Sequence, residues 1–119
     1  MVGPQSVNFD DFGSMWSTYK NVNKCIADSV VEWWEDEDVA WVLDYELMTV
    51  PHYLLRKLHN PAVGFYFHTP FPSSEIFRVL PVRDDILRCL CNASLVGFHC
   101  FAYARHFVTC CARLLGFDR

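Results

Sequence analysis

Apolar residues recur along this chain with two different periods, and the switches between them divide it into elements. Over 15–34, Trp16, Tyr19, Val22, Ile26, Val30 and Trp33 fall near helical spacing, and Ser14 stands where an N-cap would. Glu35-Asp36-Glu37-Asp38 interrupts the pattern as a solvated connection. Val39-Ala40-Trp41-Val42-Leu43 is short and almost wholly apolar, as expected of a strand covered on both faces. Helical spacing returns over 47–59 and stops at Asn60-Pro61. A second apolar run, 63–67, predicts the next strand. Residues 74–91 read as a helix that Pro81 divides into two pieces. Residues 95–98 predict a third strand and 101–115 a last helix, closed by Gly116 at a C-cap position.

Strands that alternate with helices imply right-handed crossovers and a parallel sheet. The expected fold class is therefore α/β: a partial doubly wound parallel sheet, about three strands with flanking helices. Open sheets of this kind usually hold about five strands or more, so residues 1–119 are expected to form a single partial domain. Within it, 1–13 reads as a poorly ordered N-terminal segment and 14–117 as the domain proper. Composition sharpens that picture. Hydrophobic residues make up 52% and aromatic residues 16%, rich for a free-standing domain of 119 residues, which implies apolar surface that packs on further chain. The net charge of −4, without a basic cluster, argues against a nucleic-acid partner. No uncharged apolar run approaches the roughly 18 residues of a membrane span, and the first residues lack the pattern of a signal peptide. The expectation is a cytoplasmic protein without a membrane partner. Six cysteines without CxxC spacing then read as reduced, buried thiols.

The residue that follows each expected strand is polar and able to exchange a proton: Asp44, His68 and His99. Ligands of open parallel sheets bind outside the carboxyl ends of the strands, so these residues mark a candidate site, Asp44 and His68 foremost. After His68 comes Thr69-Pro70-Phe71-Pro72, in which two prolines restrict the backbone and would hold a side chain in place. Ser73 or Ser74 could cap the next helix, whose N–H groups would favour an anion; an ordinary cap with nothing bound is the competing reading. His52, His59, Arg105 and His106 read as surface or structural residues. No GxGxxG, Walker loop, GxSxG or HExxH motif is present.

Several longer stretches carry a family signature: WVLDYELM (41–48), VGFYFHTPFPSSEIFRVLP (63–81), RDDILRCL (83–90) and LVGFHCFAYARHFVTCCARLLG (95–116). Together with Trp16, Tyr19, Val22-Asn23 and Ala27-Asp28 they resemble glycosyltransferase family 20, the trehalose-6-phosphate synthases, in family order from about Trp16 to Phe117. HTPFPSSEIF and YARHF are most similar to its plant and protist branch. The resemblance implies a GT-B fold, of which this chain is part of the N-terminal, acceptor-side Rossmann-like domain. It implies transfer of glucose from UDP-glucose to glucose 6-phosphate with retained anomeric configuration, UDP as the second product, and no metal or cofactor. In such a family the Asp at position 44 binds the acceptor sugar, and the His at position 68 contacts the transferred glucose as a substrate-binding and catalytic residue.

The chain departs from the family where HDYHL is usual and Leu43-Asp44-Tyr45-Glu46-Leu47 stands instead. Glu46 sets a negative charge near a site for anionic sugar phosphates, which weakens acceptor binding. The family's glycine loop falls upstream of residue 1, and its diphosphate-binding Arg/Lys pair falls in the missing C-terminal Rossmann-like domain. Leaving-group stabilisation is usually the largest catalytic term, so the fragment alone is expected to be inactive. Two other readings stand beside this one: a non-catalytic regulatory relative that keeps the fold, and a complete small flavodoxin-like domain that binds partners.

Overall fold

The computed structural model describes residues 9–116, with side chains from residue 12 onward. Helix α1 (Phe9–Trp33) leads into β1 (Val39–Leu43), a 3-10 turn (Tyr45–Leu47) and α2 (Val50–Lys57). Strand β2 (Ala62–Phe67) follows, then the short α3 (Ser74–Phe77), α4 (Arg83–Cys91), β3 (Leu95–Phe98) and α5 (Phe101–Leu115). The three strands and the division of 74–91 at Pro81 match the reading of the sequence. Gly116 closes α5 in the left-handed conformation (φ 75°), which glycine adopts without steric cost.

Two helix starts differ. Ser14 lies inside α1 rather than capping it, because the helical pattern continues back to Phe9. Residues 9–13 of the segment expected to be poorly ordered are thus helical, and 1–8 lie outside the described residues. The helix expected from residue 47 starts at Val50, with the tighter turn before it holding Tyr45–Leu47.

The sheet is parallel in the order β1-β2-β3, with Leu43 opposite Tyr66 and Phe67 opposite Phe98. The strand order never reverses, so both right-handed crossovers fall on the same face. On that face Ala40, Val42, Val63, Phe65 and Phe67 join Ala27, Leu54, Leu87, Leu90 and Cys110 from the helices in one core. Fully burying a Val or Phe side chain stabilises by about 1.5–3 kcal/mol, and Val42, Val63, Phe65 and Phe67 together hold the helices docked.

The second face is open, and here the expectation of strands covered on both sides is corrected. Burial along β1 alternates, leaving Val39 and Trp41 exposed at 66% and 55%. Nothing among the described residues packs on it. Two aromatic rings lie across this bare sheet over glycines of the neighbouring strand: Trp41 over Gly64 and Tyr66 over Gly97. A Cβ at Gly64 would sit 2.0 Å from the Trp41 ring, and one at Gly97 would sit 2.6 Å from the Tyr66 ring.

Candidate functional site

At the carboxyl ends of the strands, the chain leaves β1 through Asp44, whose backbone has φ 63° and ψ −178°. That combination is almost restricted to glycine and costs on the order of 1–3 kcal/mol for a residue with a Cβ. Hydrogen bonds hold it there. The backbone N–H of Asp44 donates to the Tyr66 carbonyl at 3.0 Å, extending the β1–β2 ladder by one rung. In return, Oδ1 of Asp44 accepts from the backbone N–H of His68 (2.8 Å), the backbone N–H of Thr69 (3.2 Å) and the Thr69 hydroxyl (3.2 Å). Oδ2 makes no hydrogen bond among the described residues and remains available to a ligand. Burial works to raise the Asp44 carboxyl. The donors from His68 and Thr69, with the nearby His68 ring, outweigh it and hold the carboxyl below its ordinary value.

Asp44 and His68, singled out from the sequence, are thus brought together. His99 joins them. Its ring centroid lies 5.2 Å from that of His68, and Tyr66 stands against both imidazoles at 4.8 and 5.5 Å. The Tyr66 hydroxyl is 3.4 Å from Nδ1 of His99, at the outer limit of hydrogen bonding. Both histidines are exposed. The site is a rim open to solvent and continuous with the bare face of the sheet through Tyr66 and Trp41, whose rings stack at 6.5 Å.

The stiff loop after His68 is fixed by more than its prolines. Phe71 is 1% exposed and packs against Phe67, Phe77, Phe98 and Phe107, so the loop is pinned into the core at its middle. The Tyr45 hydroxyl donates to the Pro70 carbonyl, joining the loop after β2 to the turn after β1.

Helix α1 supplies the support for that turn, which reading the sequence missed. The Tyr19 hydroxyl donates to the Tyr45 carbonyl (2.6 Å) and accepts from the Met48 N–H (2.8 Å). Burial pushes this phenol up to about 12. Asn23, fully buried, donates from Nδ2 to the Tyr19 and Glu46 carbonyls and accepts the Thr49 N–H at Oδ1. A Tyr and an Asn four apart on the apolar stripe of a helix was the available signal. Buried polar side chains are nearly always hydrogen-bonded, and here most of the partners lie in the segment after β1.

Other expectations fare differently. Ser73 occupies the N-cap position of α3 but makes no side-chain cap, and the buried Ser74 hydroxyl accepts instead from Arg113 at 3.1 Å. Ser74 thus ties α3 to the last helix, and neither serine caps α3 through its side chain. The cysteines are all free, yet Cys25, Cys91 and Cys100 are exposed rather than buried. Glu46 is exposed. A cavity of about 610 Å³ between α1 and the free edge of β1 is lined by Trp33, Trp34, Trp41 and aliphatic side chains, with Ser29 and Asp38 as its polar members. It contains none of the strand-end residues. Among the described residues no three His, Cys, Asp or Glu side chains are grouped to hold a metal ion, and no helix is long and apolar enough to cross a membrane.

Comparison with known proteins agrees with the resemblance. The family model for glycosyltransferase family 20 matches residues 2–119. The chain is 53% identical over 104 residues to alpha,alpha-trehalose-phosphate synthase [UDP-forming] 5 of Arabidopsis thaliana, a match that covers 87% of this chain and 12% of the relative. It superimposes on the N-terminal domain of Candida albicans trehalose-6-phosphate phosphatase with a TM-score of 0.90 at 33% identity, covering 97% of this chain and 25% of the other. An E. coli trehalose-6-phosphate structure bound with UDP-2-fluoro glucose matches with a TM-score of 0.81 at 36% identity, covering 83% and 22%. The chain thus spans between about one eighth and one quarter of the length of these relatives.

Proposed function

As the chain belongs to glycosyltransferase family 20, we propose that it forms part of the acceptor side of a retaining, UDP-forming trehalose-phosphate synthase. In this reading glucose passes from UDP-glucose to glucose 6-phosphate. Asp44 turns Oδ2 toward the hydroxyls of the acceptor sugar, where a charge-assisted hydrogen bond is worth more than a neutral one. His68 faces the transferred glucose, held by its backbone bond to Asp44 and by the Tyr66 ring beside it. The developing charge on the leaving diphosphate is met by cationic groups of a facing C-terminal domain, so residues 1–119 by themselves do not turn over.

The observation that carries this reading is the tie between the Asp44 carboxylate and the His68 N–H across adjacent parallel strands. It brings a carboxylate oxygen and an imidazole to one rim, the place where open α/β sheets hold their ligands, and so supports reading them as acceptor-binding and donor-facing groups. The E. coli neighbour, bound with UDP-2-fluoro glucose, supports the donor class.

Grafting residues 14–117 into the E. coli protein in place of the matched segment tests it. With UDP-glucose and glucose 6-phosphate the graft is expected to release UDP. Asp44→Asn and His68→Ala are each expected to lower kcat/KM at least about tenfold, near the value of one charge-assisted hydrogen bond. An active graft indifferent to both substitutions overturns the roles.

A second reading has its own support. Leu43 and Glu46 stand where the family usually carries histidines, and the same fold serves the phosphatase N-terminal domain of Candida albicans. Under it the chain is a non-catalytic relative. Leu43→His with Glu46→His in the graft separates the two: activity that appears only in the double variant favours the relative.

A further inference from the structure

Cys91 is the last residue of α4, and Cys111 lies in the second half of α5. Their sulfurs are 3.7 Å apart, and the other four cysteines form no such pair among the described residues. Cys91 is exposed, whereas Cys111 is only 8% exposed. We propose that Cys91 and Cys111 are a hydroperoxide-sensitive pair whose disulfide staples the end of α4 to α5.

The geometry favours this pair over its neighbours. Closing to a disulfide length of about 2.05 Å requires roughly 1.6 Å of sulfur movement, within reach of a side-chain rotation at the exposed Cys91. Cys110 is next in sequence to Cys111, but adjacent helical residues diverge by about 100°, and Cys110 is fully buried in the core. Solvent oxidant therefore meets Cys91 first, with Cys111 behind it as the resolving thiol. The contact between the two sulfurs supports this order. It lowers the Cys91 thiol below its ordinary range and raises that of Cys111, and the Arg88 guanidinium adds to the first effect.

The chemistry balances with a hydroperoxide as the oxidant. The Cys91 thiolate attacks one peroxide oxygen and the O–O bond breaks. Sulfenic acid forms at Cys91, and the other oxygen leaves as alcohol or water after taking a proton. The Cys111 sulfur then attacks the sulfenic sulfur, the S–S bond forms, and the S–O bond breaks. Water departs with the Cys111 proton. Two electrons pass from the two sulfurs to the peroxide.

The closed loop spans 91–111 and holds β3, His99 and the first half of α5. Constraining the unfolded chain in this way stabilises the folded state whatever ligand the rim binds.

The test treats the full chain with a small excess of hydrogen peroxide, then quenches, digests and maps it by mass spectrometry. The expected product is a Cys91–Cys111 cross-linked peptide, with two of the six thiols lost and both restored by dithiothreitol. The thermal midpoint is expected to rise by at least about 5 °C on oxidation. Cys91→Ser, at an exposed position, leaves the reduced midpoint unchanged and abolishes both the cross-link and the rise. The proposal is overturned if all six thiols survive, if the cross-link joins other cysteines, if Cys91 is oxidised without pairing, or if the yield is the same in denaturant.

Discussion

Oδ1 of Asp44 accepts the backbone N–H of His68 at 2.8 Å, so a side chain at the end of β1 fixes the path of the chain leaving β2. The same oxygen takes both Thr69 donors, and Asp44 is held meanwhile in a conformation that suits glycine. One residue thus orders the rim and still presents a free carboxylate oxygen to it.

Substitutions at Asp44 separate these two tasks. Asp44→Gly removes the hydrogen bonds but releases backbone strain of about 1–3 kcal/mol, so its stability is expected to stay within about 1 kcal/mol of the parent. Asp44→Ala loses the bonds and keeps the strain, and is expected to lie about 1–2 kcal/mol lower than the glycine variant. Chemical denaturation of the two variants side by side checks the order. An alanine variant at least as stable as the glycine variant contradicts the strain.

Acid should loosen the rim. The folded Asp44 carboxyl titrates below its ordinary value of 3.8, so its stabilising contribution is complete above that value and is lost as pH falls through the lower folded value. Amide exchange at His68 and Thr69 is expected to quicken on that descent, relative to other amides. In Asp44→Asn the dependence should vanish.

From a fully buried position Asn23 joins backbone groups of α1, of the 3-10 turn and of the residue before α2. Asn23→Ala leaves the Glu46 carbonyl and the Thr49 N–H without partners and is expected to cost about 2–4 kcal/mol. Thermal melts should show the loss, and Asn23→Ser should recover little of it because the shorter side chain cannot span the same partners.

The two glycines under aromatic rings should respond unequally. Gly64→Ala meets Trp41, which is half exposed and can swing outward, so stability is expected to change by less than about 1 kcal/mol while tryptophan fluorescence shifts to the red. Gly97→Ala meets Tyr66, which is held between His68 and His99, and is expected to move the proton resonances of both imidazoles. Unchanged histidine resonances would contradict the coupling.

The bare face should promote association. Val39, Trp41, Leu43 and Leu95 expose apolar surface on one side of a three-stranded sheet. Sedimentation is expected to show concentration-dependent oligomers of the chain, and Trp41→Lys with Leu95→Glu should shift them toward monomer.

Much of this architecture was legible in the sequence because it depends on local pattern. Period and breakers located the three strands to within a residue, Pro81 divided the fourth and third helices, and Gly116 marked the last cap. The strand-end rule likewise puts Asp44, His68 and His99 at one edge. What escaped was set by partners distant in sequence. Tyr19 and Asn23 read as ordinary members of a helical stripe, yet they hold a turn 23 to 29 residues away. Ser74 read as a cap and instead accepts from Arg113, 39 residues on.

The sequence by itself determined the element order, the parallel sheet and the family, because spacing and motif are properties of neighbouring residues. Only the tertiary structure decided that one face of the sheet is bare, that the Asp44 carboxylate crosses to the next strand, and that Cys91 meets Cys111. Those outcomes depend on where a strand without reversal sends its helices, and on which distant donors and sulfurs the packing brings within bonding distance.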